Sequence, residues 1–331
     1  MKRIVATAPG RCGIVGNPTD MYGGSVISCS TKERAKCLLK EAATGIRIVN
    51  DDEGVLMNSK NDLVFRNDKL DIVRAALIYF EIDPANTALE IEVSTQIPMR
   101  AGLAGSTAML AAIVGAFDSW LSLRLSPYHL AETMRKIEDR IMKVTCGFQD
   151  QHMAIFGGLN FMDFAGKESL SQAPDEPLAT IESLSAFVPA PPFLLAHTGV
   201  QHHSGTVHAS PRERWLKGET LVRNNYSRIA ELARSAKRAI VEGDWAKVGA
   251  LMNENHALVA VLGGSGPDNE RLISAALKAG ALGAKLAGAG GGGTIIALTH
   301  EPEKLGNSLL AAGADGLYFP SPQPGLQVFV E

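Results

Sequence analysis

The stretch Pro98-Met99-Arg100-Ala101-Gly102-Leu103-Ala104-Gly105-Ser106-Thr107-Ala108 runs straight into Leu110, Ile113, Val114, Phe117 and Leu121, apolar residues that recur at helical spacing. The spacing predicts a helix that begins near Ser106 with its amino terminus resting on glycines. Glycine lets the backbone approach a ligand closely, and the first N–H groups of a helix have no partner within the helix. Those donors, together with the helix dipole, form a cradle for an anion such as a di- or triphosphate. Ser106 and Thr107 add hydroxyls within reach of a cation bridging phosphates, although Ser106 read alone could simply cap the helix.

Two more glycine-rich stretches flank this one at long range. Ala8-Pro9-Gly10-Arg11-Cys12-Gly13-Ile14-Val15-Gly16-Asn17-Pro18-Thr19-Asp20-Met21-Tyr22-Gly23-Gly24 lies upstream, and Lys285-Leu286-Ala287-Gly288-Ala289-Gly290-Gly291-Gly292-Gly293-Thr294 lies downstream. Gly288, Gly290 and Gly293 satisfy GxGxxG, but Thr294 to Leu298 reads as a strand where a dinucleotide site requires a helix. NAD is therefore set aside. No GxxxxGK followed by Ser or Thr is present, which disfavours a P-loop NTPase. One chain reversal needs few glycines, so close approach to a ligand explains the third stretch better than a simple hairpin turn.

Composition sets the outer limits. The 331 residues, 46% hydrophobic and 20% charged, can bury one large core or two moderate ones. A formal net charge of −3 supplies no field for polyanions, so nucleic acid is not expected as a partner. No apolar run reaches the ~18 to 20 residues that span a bilayer, so a soluble cytoplasmic protein without a membrane partner is expected. Cys12, Cys29, Cys37 and Cys146 show no CxxC spacing and are expected as reduced thiols.

The first half alternates strand-like segments, Ile4 to Thr7, Ile46 to Val49 and Leu89 to Val93, with helices. Ser126-Pro127 signals a helix start, and the stripe Leu130, Met134, Ile137, Ile141 carries that helix toward Cys146-Gly147. Periodicity is lost between Gly166 and Pro192, which places a boundary between a unit of 1–180 and one of 190–331. Beyond it come a strand at Phe193 to Ala196, a helix from Ser210-Pro211-Arg212-Glu213 toward Val241, and helices capped by Asp244 and Asp268. Strands at Thr294 to Leu298 and Leu326 to Val330, with a helix opened by Pro302 between them, complete an α+β chain.

Asp150, in Cys146-Gly147-Phe148-Gln149-Asp150-Gln151-His152, is the candidate catalytic group. A loop carboxylate just past a helix can accept a hydroxyl proton and leave phosphoryl transfer to a metal and backbone amides. Glu138 and Asp139 are adjacent on a helix and face about 100° apart, so at most one can address a fixed metal. His202, His203 and His208 lack a fourth ligand and read as loop residues rather than a zinc site.

The three glycine stretches in this order resemble the GHMP small-molecule kinases, and the resemblance implies a two-domain fold. Its N-terminal half would be like ribosomal protein S5 domain 2 and its C-terminal half ferredoxin-like. ATP and Mg²⁺ are implied, with phosphate contacts from Gly102, Leu103, Ala104, Gly105, Ser106, Thr107, Gly288, Gly290 and Gly291. In that family a Ser-Gly-x-Asp segment supplies the acid–base aspartate and an upstream helical glutamate binds Mg²⁺, which maps onto Asp150 and Glu138, with Ser106 as the second metal ligand. Arg11 occupies the place of a lysine or arginine that could stabilise developing charge. Asn17, Asp20, Tyr22, Gly23 and Arg212 are the implied acceptor contacts, and 58–70 lies where the adenine pocket would be.

Within the superfamily, Gly16-Asn17-Pro18-Thr19-Asp20, Gly102 to Ala108, Gly147 to Asp150, Phe156 to Phe164 and Ser204 to Trp215 look like the glucuronokinase-like sugar kinases. Phosphorylation of the anomeric hydroxyl of a sugar or sugar acid follows as the expectation, with glucuronate foremost and a monomer or homodimer as the assembly. A uronate carboxylate would suit an arginine clamp, for which Arg212 and Arg214 are placed, although in the first turn of a helix a solvated face is the default for both. A mevalonate or heptose-phosphate kinase, a diphosphomevalonate decarboxylase and a non-catalytic sugar sensor are the alternatives. Retention of Asp150, Ser106, Thr107 and Arg11 speaks against the sensor.

Overall fold

The computed structural model describes residues 3–50, 54–98, 101–167, 176–199, 209–288 and 293–331. Two long strands, β1 (Arg3–Val15) and β2 (Ser25–Glu41), pair antiparallel as the spine of the larger sheet. Its path runs β12-β1-β2-β5-β3-β4, with β6 on β2 and β7 on β6; here β3 is Ile46–Val49, β4 Gly54–Met57, β5 Leu89–Thr95, β6 Leu159–Asp163, β7 Thr180–Ser183 and β12 Gln327–Val330. The first half of the first glycine stretch, which in sequence hides its strand character behind Pro9, Gly10 and Gly13, is strand: β1 continues through Gly10 and Gly13 to Val15, with register shifts at Pro9/Arg11 and Gly13/Val15. Such bulges re-aim side chains, and here they fall on either side of Arg11 and Cys12.

The alternation in β5 holds. Leu89, Ile91 and Val93 are buried, whereas Glu90 and Glu92 pair with Lys40 on the other face. Against the apolar face lie α1 (Asp71–Tyr79), α2 (Gly105–Leu121), α3 (Pro127–Lys136) and α4 (Gln149–Phe156). Helix α2 is buried on nearly every side from Leu110 to Phe117, as its small and aliphatic composition requires. Each fully buried side chain of the size of Leu110 or Phe117 contributes about 1.5–3 kcal/mol. Ser126 caps α3, its hydroxyl accepting from His129 N at 3.3 Å. The expected continuation toward Gly147 stops early, because α3 widens into a π turn over Ile137–Ile141 and then ends.

The second sheet, β11-β8-β10-β9, comprises β8 (Phe193–His197), β9 (Gly283–Leu286), β10 (Thr294–Leu298) and β11 (Gly316–Tyr318), all pairs antiparallel. Numbered within this unit the order is 4-1-3-2, the ferredoxin-like arrangement. One face carries Leu194, Ala196, Ile295 and Ala297 against α8 (Pro267–Lys278) and α9 (Pro302–Ala311). The other carries Leu195, Ile296 and Leu298 against α6 (Thr220–Glu242) and α7 (Trp245–Val261), in a cluster that also takes in Cys12, Ile14 and Ile27 of the first sheet. With both faces covered, β8 and β10 are buried along their whole length, and their central residues are apolar rather than alternating.

Three local expectations are corrected. The helix foreseen from Ser210 to Val241 is two helices, α5 (Ala209–Leu216) and α6, because Gly218 adopts the left-handed conformation at φ 77° and breaks the run. Asp244 does cap α7, accepting from Lys247 N at 2.9 Å, but Asp268 lies in the first turn of α8, paired with Arg271 behind a Gly266 cap. The last strand, read as part of the second unit, hydrogen-bonds to β1 of the first sheet, from Ile4↔Val330 to Thr7↔Gln327. The four cysteines are unpaired, and among the described residues no helix is long and apolar enough to cross a membrane.

Candidate active site

Two backbone hydrogen bonds and one from a side-chain hydroxyl knit the three glycine stretches together. Arg11 N donates to Leu103 O at 3.1 Å, Gly13 N to Ala287 O at 2.9 Å, and Thr294 Oγ1 to Ala101 O at 2.7 Å. A Cβ built on Gly288 would stand 2.8 Å from Gly102 O, so the second and third loops touch backbone to backbone. Gly290 and Gly291 lie outside the described residues.

Helix α2 opens without a side-chain cap. Its N-cap is Ala104, left-handed at φ 57°, preceded by Gly102 at φ 75°, while Ser106 is an exposed residue of the first turn and not the cap. Two left-handed residues turn the chain into the helix, and among the described residues no side chain caps its start. That is the state in which a helix start receives an anion.

Asp150 belongs to the first turn of α4 rather than to a loop. Arg11 grips both of its oxygens, Nε to Oδ1 at 2.7 Å and Nη2 to Oδ2 at 2.8 Å, while Arg11 Nη1 donates to Gly102 O at 2.6 Å. Burial disfavours the Arg11 charge, but Asp150 outweighs it and the pKa rises above the ordinary arginine value. One guanidinium thus ties the carboxylate to the glycine loop.

Glu138 sits in the π turn and is buried, its Oε1 accepting from Thr107 Oγ1 at 2.8 Å and its Oε2 from Gln151 Nε2. Burial raises its pKa to about 7, the Asp150 charge adding to the rise and the Gln151 and Thr107 bonds opposing it. Asp139 faces outward toward Arg135 at 3.8 Å. Of the two neighbouring acids, only Glu138 reaches the start of α2.

Asn17 and Asp20 are buried on the other side of Arg11 in sequence. Asp20 Oδ2 accepts from Phe148 N at 2.8 Å and Gln149 N at 3.0 Å. Asn17 Nδ2 donates to Gly288 O at 3.3 Å and its Oδ1 accepts from Lys285 Nζ at 2.8 Å. Lys285 is fully buried, and burial lowers its pKa to about 7, against Cys12, which favours the charge, and with Arg11, which opposes it. Neither Lys285 nor Gln151 stands out in sequence; the signal for Lys285 is a lone cation inside the apolar strand Gly283-Ala284-Lys285-Leu286.

Tyr22 stacks on Tyr226 with ring centroids 4.6 Å apart and tilts against Trp215 at 4.9 Å. Tyr22, Gly23, Trp215, Arg223, Tyr226 and Arg234 line a cavity of about 470 Å³ whose described walls do not include the Arg11–Asp150 pair. Arg212, in α5, has a buried Nε with no hydrogen-bond partner among the described residues. His202, His203 and His208 lie outside the described residues. Val64 and Phe65, in 58–70, are exposed apolar residues.

Two family models match the chain: the GHMP kinases N terminal domain over residues 71–158 and the GHMP kinases C terminal model over residues 236–315, together just over half of the 331 residues. Mevalonate kinase of Pyrococcus furiosus is 28% identical, with 98% of each chain covered. Probable glucuronokinase 2 of Arabidopsis thaliana is 27% identical, covering 85% of this chain and 81% of its own. The crystal structure of Lactococcus lactis galactokinase complexed with galactose superposes with a TM-score of 0.80 at 17% identity, covering 98% and 95% of the two chains.

Proposed function

Since the chain belongs to the GHMP kinase family and is a phosphotransferase, we propose that it transfers the terminal phosphoryl group of ATP to the anomeric hydroxyl of a sugar acid, with glucuronate as the acceptor. The observation that carries this reading is the Arg11–Asp150 fork fastened to Gly102 at the foot of an uncapped helix. It sets a hydrogen-bond acceptor for an alcohol beside a cradle for phosphates.

Each residue has a distinct task. The amides from Gly105 to Thr107, with Gly102 and Gly288 keeping the backbone close, hold the phosphate tail. Asp150 accepts the hydroxyl proton or orients the hydroxyl, which suffices for a transfer with a loose transition state. Arg11 fixes Asp150 and places positive charge where negative charge develops. Ser106 and Glu138 would hold Mg²⁺, which when bound neutralises charge on the phosphates. Exposed Val64 and Phe65 offer apolar surface for the adenine.

The buried Nε of Arg212, which has no hydrogen-bond partner among the described residues, supports a carboxylate on the acceptor. Mevalonate also carries one, and the 28% identity to Pyrococcus furiosus mevalonate kinase favours that second reading. ADP release with Mg-ATP against glucuronate, galacturonate, galactose, fucose, a heptose phosphate and mevalonate, followed by the mass of the product, separates the two. Glucuronate turnover is the expected result; mevalonate turnover alone would replace the acceptor, and no turnover on any alcohol would end the kinase assignment to these substrates. Asp150→Asn should lower kcat by roughly 10² or more, and near-normal turnover would remove Asp150 from the mechanism.

A further inference from the structure

We propose that Asp20 is a positioning residue for Asp150: it caps the start of α4 from a distant turn, and so holds by the backbone the carboxylate that Arg11 holds by the side chain. The inference rests on the reading of Asp150 as the group that receives the hydroxyl.

Helix α4 has eight residues and begins at Gln149, after Phe148, whose own side chain offers no cap. A short helix start buried without acceptors would leave amides unsatisfied. Asp20, 6% exposed in the one-turn helix Thr19–Tyr22, supplies the missing acceptor, its Oδ2 taking both Phe148 N and Gln149 N. A carboxylate at the positive end of a helix also meets a favourable dipole.

Gly147 provides a second, independent sign of the same contact. A Cβ at that position would overlap Asp20 Oδ2 and crowd Met21, so the residue before the cap must be glycine for the carboxylate to reach the amides. Arg11, within β1, and Asp20, in the Thr19–Tyr22 turn that follows it, are nine positions apart in one segment. Together they clasp a single turn of helix, one at the Asp150 oxygens and one at the peptide groups beneath them. Asp20 Oδ2 is thereby committed to protein donors, which makes its influence on the acceptor indirect.

The test uses the full chain with Asp20→Ala, Asp20→Asn and Gly147→Ala, read by hydrogen exchange of the peptide spanning 142–156 and by separate kcat and acceptor KM values. Asp20→Ala should speed exchange at the start of α4 by about tenfold or more. It should also lower kcat by roughly 10²-fold, the scale of a 1 Å misplacement, while the acceptor KM changes little. Asp20→Asn retains an oxygen that can accept both amides and should recover most of each loss. Gly147→Ala, which displaces the carboxylate without touching it chemically, should reproduce Asp20→Ala. If Asp20→Asn instead raises the acceptor KM by about tenfold or more with α4 exchange unchanged, Asp20 is a substrate ligand and the proposal fails. Should Asp20→Ala not fold, the other two variants decide. The exchange readout needs no turnover, so a wrong acceptor or an inactive Asp150 leaves the capping result standing on its own.

Discussion

Replacing Arg11 by lysine keeps the charge and removes the fork. In the native site three donors of one guanidinium are engaged at 2.7, 2.8 and 2.6 Å, two on Asp150 and one on Gly102 O. A lysine ammonium can meet Asp150 at one point, but it cannot span both carboxylate oxygens and the Gly102 carbonyl from the same place. Hydrogen bonds to charged groups are worth about 1.5–3 kcal/mol each. The Asp150 side chain is 30% exposed, so water takes up part of what is lost and the lower end of that range applies. Losing two such bonds, less than additively, gives about 2–3 kcal/mol, or about a 30- to 150-fold fall in kcat/KM for the acceptor. Steady-state ADP release at saturating Mg-ATP measures it, with far-ultraviolet circular dichroism to confirm an intact fold. A fall of less than about threefold, or one confined to the KM for ATP, would refute the idea that the fork keeps Asp150 in working position.

Two other outcomes follow from the same contacts. Lys285, depressed from an ordinary value near 10.5 to about 7, binds fewer protons in the folded chain than in the unfolded one between those pH values, so stability rises with pH across that window. Lys285→Met should flatten the denaturant-midpoint profile from pH 7 to 10 relative to the native chain, and an unchanged slope would mean the ammonium is not buried as described. Gly288→Ala places a methyl 2.8 Å from Gly102 O and 3.0 Å from its Cα, and overpacking of that kind costs about 1–3 kcal/mol. It should weaken Mg-ADP binding in calorimetric titration by about tenfold, and undiminished affinity would show that the two loops need not touch.

What could be read from the chain was local. The helix after Gly105, the caps at Ser126 and Asp244 and the opening of α9 by Pro302 each depend on residues a few positions apart, and all were legible. Glu138 could be narrowed to one of two acids by helical geometry, and the structure turns that acid toward Thr107. The sequence is silent where distant residues decide. Asp150 reads as a loop residue in sequence, because the carboxylate that caps its helix lies 128 positions before Phe148. The strand through Gly10 and Gly13 was hidden because pairing with β2, not β propensity, keeps those residues extended. Lys285 and Gln151 do not stand out in sequence because each acquires its meaning only from a partner on another element, Asn17 in one case and Glu138 in the other.

The outer edge of β1 is covered by Gln327–Val330, and Arg34 reinforces the closure by donating to the carbonyls of Pro324 and Gly325 at 2.8 and 2.7 Å. Translation delivers these partners more than three hundred residues apart, so a nascent chain on the ribosome carries the open edge of its first sheet until the far segment emerges. Until then that edge is available to a neighbouring chain on the same message, and the β1–β12 pairing is the step a chaperone would have most reason to guard.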